Sequence, residues 1–200
     1  MNPNAESYNK ICNQWHVYRM QKRVNRCVAE FAALLKPASQ ILDVGCGTGY
    51  PIAVYLSGLG HKVTGIDMSE RMIECAKSQN LPNAEFWQED LLSYQTEKRF
   101  DAVIAFDSLW HIPLEQQPMI YGIIGQLLQP GGYFLFTHGK TNSEVNGEMF
   151  GQIFHYSSLD ASAVRTLLYN NGLSVLDFIE NYAEETTGDR ELLVVARKAE

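Results

Sequence analysis

Cysteine is scarce in this 200-residue chain, and the four present, Cys12, Cys27, Cys46 and Cys75, are never closer than fifteen residues apart. No Cys-x-x-Cys pair can start a zinc or dithiol site, so no metal cofactor is expected and a disulfide scaffold is excluded. Positive charge is also short: 16 Lys and Arg stand against 23 Asp and Glu, a net charge of −7. A field of that sign repels phosphate backbones, so no nucleic-acid partner is expected unless basic residues cluster locally. The densest group, Arg19, Lys22, Arg23 and Arg26, reads as one solvated helix face. The first ten residues are polar and lack the apolar stretch of a leader, so a cytoplasmic location is expected. The segment Gln116 to Gly139 carries no Asp, Glu, Lys or Arg, but four glutamines and the Pro130-Gly131-Gly132 turn interrupt it. It reads as a buried helix, a turn and a buried strand, and no membrane partner is expected.

What is present is ordinary globular composition at a length suited to one domain, with about 70% of the unfolded surface available for burial. Apolar residues at Met20, Val24, Cys27, Val28, Phe31 and Leu35 have helical spacing, and Lys36-Pro37 ends that helix. Short apolar runs then alternate with helical patterns. The strands are Gln40–Val44, Lys62–Ile66, Ala84–Trp87, Phe100–Phe106 and Tyr133–Thr137; the helices are 51–59, 70–78 and 117–128. Runs apolar on both faces, separated by crossovers, predict a parallel sheet covered by helices. Residues 140–157 are polar and aperiodic and read as a loop or lid. A helix follows over 160–170, then strands at 174–179 and 191–196 joined by an acidic loop, 180–190.

The most informative segment is ILDVGCGTGYP, residues 41–51, in which a strand runs into Gly45, Gly47 and Gly49 before a helix opens at Pro51. Glycines there let the backbone turn sharply and let a ligand sit on main-chain atoms, at the sheet edge where α/β ligands bind. A dinucleotide fingerprint would place its third glycine where Tyr50 stands, and Pro51 removes a helix-start N–H that could face a pyrophosphate. The turn therefore favours a nucleoside without phosphate over a nicotinamide dinucleotide. Asp67 ends the second strand and can accept from both hydroxyls of a ribose; Asp90, after the third, can accept from an adenine amino group. Each aspartate alone is more often a helix cap or turn residue, but three features in order, each at a strand's carboxyl end, describe an adenosine pocket.

Five motifs, DVGCGTG at 43–49, GIDMS at 65–69, QEDLL at 88–92, FDAVIAFDSLWHI at 100–112 and LLQPGGYFLFT at 127–137, resemble the class I S-adenosylmethionine-dependent methyltransferases in order and spacing. The resemblance covers residues 38–139 closely and 158–198 more loosely. It implies a Rossmann-like α/β sandwich whose seven-stranded sheet has the order 3-2-1-4-5-7-6, the last strand antiparallel. It implies S-adenosyl-L-methionine as methyl donor and S-adenosyl-L-homocysteine as product. Carried across, Gly45, Cys46, Gly47 and Gly49 would line the methionine moiety and Asp43 would hold its ammonium. Asp67 would take the ribose, Asp90 the adenine, with Met68 and Leu91 sandwiching the ring and Phe106 beside the donor. Glu89 stands where the family commonly has glycine, and Tyr50-Pro51 is unusual at the helix start.

Methyl transfer from a sulfonium is an in-line displacement, so orientation and water exclusion carry most of the work. His111, after the fourth strand, is the candidate base; its other reading is a cap beside the cofactor. Trp110 reads as core packing or as a substrate platform. Tyr8, Trp15, His138, Phe154 and Tyr156 are the remaining lid and acceptor candidates. The chain lacks the Asp/Asn-Pro-Pro-aromatic run of amino-group DNA methyltransferases and the Pro-Cys pair of cytosine C5 enzymes. Together with the acidic charge, this points to a small-molecule acceptor. Residues 1–200 then read as a single methyltransferase domain with an N-terminal helical cap over 1–37 and a lid over 140–157. Two other readings stay open: a non-catalytic module binding the donor or its product, and a nicotinamide-dependent oxidoreductase. Oligomeric state does not follow from the chain.

Overall fold

Ile41 and Leu42 are neighbours in sequence and both fully buried, yet they pack into different cores. Successive side chains of a strand point to opposite faces, so a strand apolar at every position needs cover on both. That requirement sets the architecture. The computed structural model describes residues 2–184 and 188–200. In chain order it contains α1 (Pro3–Met20), α2 (Arg26–Ala32), β1 (Gln40–Val44), α3 (Ile52–Gly58), β2 (Lys62–Asp67), α4 (Glu70–Ser78), β3 (Ala84–Gln88) and β4 (Phe100–Ala105). There follow α5 (Gln117–Leu127), β5 (Leu128–His138), β6 (Ser143–Met149), β7 (Gln152–Ser158), α6 (Ala161–Asn170), β8 (Leu173–Tyr182) and β9 (Arg190–Lys198).

The main sheet runs β3-β2-β1-β4-β5-β9-β8. Counting its own strands alone, this is the order 3-2-1-4-5-7-6. The first five pair in parallel, and β9 is antiparallel to both its neighbours. One face packs Leu42, Val103 and Phe134 against α5 and α6 through Ile120, Ile124, Val164 and Leu168. The other packs Ile41, Val63 and Ile104 against α2, α3 and α4 through Phe31, Leu56 and Ile73. Strand order reverses between β1 and β4, and there the carboxyl ends of neighbouring strands diverge into a crevice.

Four expectations change. The helix predicted over Met20–Leu35 is broken: α1 ends at Met20 and α2 begins at Arg26. The cause lies far along the chain, where the Glu184 carboxylate accepts the Arg26 backbone N–H at 2.7 Å and the Asn25 side-chain N–H at 3.2 Å. It thereby caps a fresh helix start. The basic group on that stretch is accordingly not one solvated face, since Arg19 turns inward to the crevice. The turn predicted at 130–132 lies inside β5, where the β4 pairing shifts register. The aperiodic segment 140–157 contains the antiparallel hairpin β6–β7, closed by Phe150 and Gly151, both at positive φ. Residues 185–187 of the acidic loop lie outside the described residues. Among the described residues, no helix is long and apolar enough to cross a membrane.

Candidate functional site

The crevice at the carboxyl ends of β1, β2 and β4 opens into a cleft of about 1230 Å³, counting its mouth. Its floor is the glycine turn. Gly45 and Cys46 donate backbone N–H bonds to the Ile66 carbonyl at 2.8 and 3.1 Å, tying the turn to β2. At Gly45 φ is +72° and a Cβ would lie 2.4 Å from that of Ser108, so any side chain would drive the turn after β4 away. Ser108 in turn donates its hydroxyl to the Val44 carbonyl at 2.8 Å.

Among the described residues, five carboxylates line the cleft, Asp43, Asp67, Glu89, Asp90 and Asp107, and three of them sit where the sequence placed the acidic rim. Asp43, on β1, is 3% exposed. Burial, and secondarily the charge of Asp67, push it up to about 7, while Arg19 pulls the other way. Asp67 ends β2 and accepts N–H bonds from Gly47 at 3.0 Å and Ser69 at 2.8 Å, one on each oxygen. Burial raises it all the same; those two bonds only moderate the rise. Asp90 accepts from the Leu92 N–H at 2.9 Å and caps the short turn that presents Leu91.

The roof is α1. Tyr8, Trp15 and Arg19 recur at spacings of seven and four and share its inner face, all lining the cleft. The helix is held down from two sides. Ser69 Oγ and the Arg71 N–H donate to Asn9 Oδ1 at 2.7 and 3.1 Å, and Ser7 Oγ donates to the Ile153 carbonyl of β7 at 2.7 Å. Arg19 donates from Nε to the Tyr50 carbonyl at 3.3 Å and lies 5.4 Å from the Trp15 ring centre. Behind it, Asp107, at φ +56°, forms a bidentate ion pair with Arg190 at 2.5 and 2.6 Å.

At the far end of the cleft stands His111. Its Nε2 lies 3.0 Å from the Tyr8 hydroxyl; its Nδ1 lies 3.0 Å from Asn4 Nδ2 and 3.1 Å from the His155 carbonyl. Burial pushes the imidazole down to about 4, against the His155 carbonyl and Asp107, so it is neutral at physiological pH. Burial also lifts the Tyr8 phenol well above its ordinary range.

Of the residues singled out from sequence, the cleft gathers Asp43, Gly45, Cys46, Gly47, Asp67, Met68, Asp90, Leu91, Phe106, His111, Tyr8 and Trp15. Five others lie elsewhere. Gly49 faces the Phe86 ring, and its role is close helix–strand packing. His138, fully buried at the end of β5, points at Gln117, with Nε2 3.2 Å from its Oε1. Phe154 is fully buried beneath Tyr8, ring centres 4.7 Å apart. Tyr156 sits behind His111 at 5.0 Å, lining a separate groove, and Trp110 packs edge-on against both. Sequence reasoning assigned no site role to Arg19, Asp107, Tyr50 or Asn4. Only Arg19 carried a usable signal, its helical spacing from Tyr8 and Trp15.

The chain is similar to known methyltransferases in sequence and in fold. A family profile described as "Methyltransferase domain" matches residues 41–132. Squalene methyltransferase 1 of Botryococcus braunii is 34% identical over 151 residues, 70% of this chain and 36% of that protein. The chain spans about half the length of the curated relatives it matches. Among solved structures, the magnesium protoporphyrin IX methyltransferase of Synechocystis, with bound S-adenosylhomocysteine, aligns with TM-score 0.74 at 19% identity, covering 98% of each chain. The 1,6-didemethyltoxoflavin-N1-methyltransferase of Burkholderia thailandensis also reaches 0.74, at 20% identity over 98% of this chain and 87% of that one. The profile falls on the stretch that carries the glycine turn and its acidic rim, and the sheet has the order 3-2-1-4-5-7-6 that the resemblance to class I S-adenosylmethionine-dependent methyltransferases implies.

Proposed function

We propose that this protein binds S-adenosylmethionine in the cleft and transfers its methyl group to a small-molecule acceptor. One observation carries the reading. Asp43 is buried at the cleft floor, and among the described residues no group donates a hydrogen bond to it. Its oxygens face the cleft rather than being sealed inside the fold, and a charged carboxylate at such a floor is costly until a cationic ligand pairs with it. The α-ammonium of the donor supplies the missing charge. Arg19, the cation on the roof, is matched to the donor's carboxylate, with Gly45, Cys46 and Gly47 of the floor along the methionine moiety. Each Asp67 oxygen already holds one backbone N–H and keeps a lone pair for a ribose hydroxyl. Asp90 is assigned to the adenine amino group, Met68 and Leu91 to the faces of the ring, and Phe106 to the cleft wall beside the donor.

When bound, the donor supplies a methyl group already activated on a sulfonium. The protein's part is to align the acceptor in line with it and exclude water, which supplies on the order of 7–11 kcal/mol of the barrier. Tyr8, Trp15 and Arg19 do this from the roof, and Tyr8 with His111 marks the acceptor end. Residues 1–200 are read as one domain in which α1 and the β6–β7 hairpin cover that end. Calorimetry with S-adenosylhomocysteine tests the reading: micromolar binding is expected, lost in Asp67→Ala. No binding of either nucleoside would end it. Incubating cell extract with isotopically labelled donor should then move label into a low-mass component. Label appearing only in protein or nucleic acid would overturn the acceptor class.

A further inference from the structure

We propose that Asn4 is a positioning residue that clamps the His155 peptide and so holds His111 with its proton on Nδ1, leaving Nε2 to take a proton from the acceptor through the Tyr8 hydroxyl. The inference rests on the methyltransferase reading of the cleft and deepens it. Asn4 is 5% exposed and lies in the first turn of α1. Its Oδ1 accepts the His155 N–H at 2.8 Å and its Nδ2 donates to the His155 carbonyl at 2.8 Å. The amide orientation is thereby set, and both polar groups of one hairpin residue are pinned. That pinned carbonyl lies 3.1 Å from His111 Nδ1. A carbonyl only accepts, so a proton on Nδ1 completes the contact and leaves Nε2 bare, 3.0 Å from Tyr8 Oη. The opposite tautomer would take the second Asn4 N–H on Nδ1 and set its lone pair facing the carbonyl's.

The relay balances. The acceptor's X–H bond breaks and its proton passes to Tyr8 Oη, whose own proton moves to His111 Nε2. The X lone pair forms the X–CH3 bond, and the S–CH3 pair stays on sulfur. One positive charge is carried by the sulfonium before transfer and by the imidazolium after it. The groups facing His111 are Tyr8 and Asn4 from α1, Asp107 from the turn after β4, and His155 and Tyr156 from β7, with Glu144 of β6 across the adjoining groove.

The test uses full-length protein carrying 15N-histidine, with the five histidine signals sorted by His111→Gln. In the unmodified protein, His111 should show a protonated Nδ1 and a bare Nε2, neutral between about pH 5 and 8. Asn4→Asp places a carboxylate beside Nδ1 and should shift the His111 titration midpoint upward by about one unit or more, a tenfold change. Asn4→Ala should lose the tautomer preference while S-adenosylhomocysteine affinity stays unchanged in both variants. A protonated Nε2 in the unmodified protein, or an unmoved midpoint in Asn4→Asp, overturns the proposal whether or not Asn4→Ala folds. Absence of S-adenosylhomocysteine binding to the unmodified protein would instead sink the cleft reading beneath it.

Discussion

Asp43 shows how one residue sets function against stability. Its carboxyl holds a proton up to about 7, against 3.8 in an unperturbed chain. Through that window the folded state binds more protons than the unfolded one, so the stability of the ligand-free protein falls as pH rises. An amide in its place cannot ionise, so Asp43→Asn should raise the melting temperature of the ligand-free protein at about pH 8. On the proposed reading the same substitution would remove a charge-assisted bond of roughly 1.5–3 kcal/mol, and calorimetry should show donor binding about ten- to hundredfold weaker. The pH dependence follows with the opposite sign. A cation binds the ionised carboxylate, so donor affinity should rise with pH and level off above about 7, the value to which Asp43 is pushed. In Asp43→Asn that dependence should flatten; a steep profile surviving there would assign it to another group.

Among the elements, α2 exists as a separate helix because of a group 158 residues away. The Glu184 carboxylate takes the Arg26 N–H, the Asn25 amide and the Tyr182 hydroxyl at 2.7, 3.2 and 3.0 Å. Glu184→Ala strands buried donors and should cost about 1–3 kcal/mol in urea unfolding, with the slope unchanged. The roof helix is held differently. Its inward face includes the buried polar residues Asn4 and Ser7, whose partners lie on β7. Such a face carries little apolar periodicity, which is why the sequence reading began its helix only at Met20. Trp15 rests over Gly47, with its indole nitrogen 3.6 Å from where a Cβ would stand. Adding S-adenosylhomocysteine should therefore change tryptophan fluorescence in the unmodified protein and not in Trp15→Phe. An equal change in both would remove Trp15 from the donor wall.

For the whole molecule, the cleft joins parts that the sheet alone does not hold together: a floor from β1, β2 and β4, and a roof from α1 tied to α4 and β7. A ligand bound between them stabilises the folded state by mass action, about 2.7 kcal/mol at a hundredfold excess over Kd. Thermal melts should accordingly rise with S-adenosylhomocysteine concentration, and hydrogen exchange should slow in α1 as well as around the glycine turn. Protection confined to the glycine turn would show that the roof does not close on the donor.

The division between the legible and the illegible falls along the same line. A strand ending in Gly45, Cys46 and Gly47, with aspartates at the ends of the next two strands, is short-range chemistry. Local backbone demands and strands apolar on both faces wrote it into consecutive residues, so the parallel covered sheet and the acidic rim could be read in advance. The strand order came from the family resemblance. The roof was not readable in that way. Asn4 meets His111 and His155, Asn9 meets Ser69, and Arg26 meets Glu184 across 60 to 158 positions. No periodicity encodes a polar pair whose members lie on different elements. His138, Phe154 and Tyr156 show the converse: their residue types fitted an acceptor wall, but β5 turns His138 to Gln117, and Phe154 and Tyr156 pack behind Tyr8 and His111. Local pattern settles which faces are apolar and where the chain must turn. Which polar groups then meet is decided only once the packed layers bring distant positions together, because a hydrogen bond needs its partner within about 3 Å and carries no trace in sequence spacing.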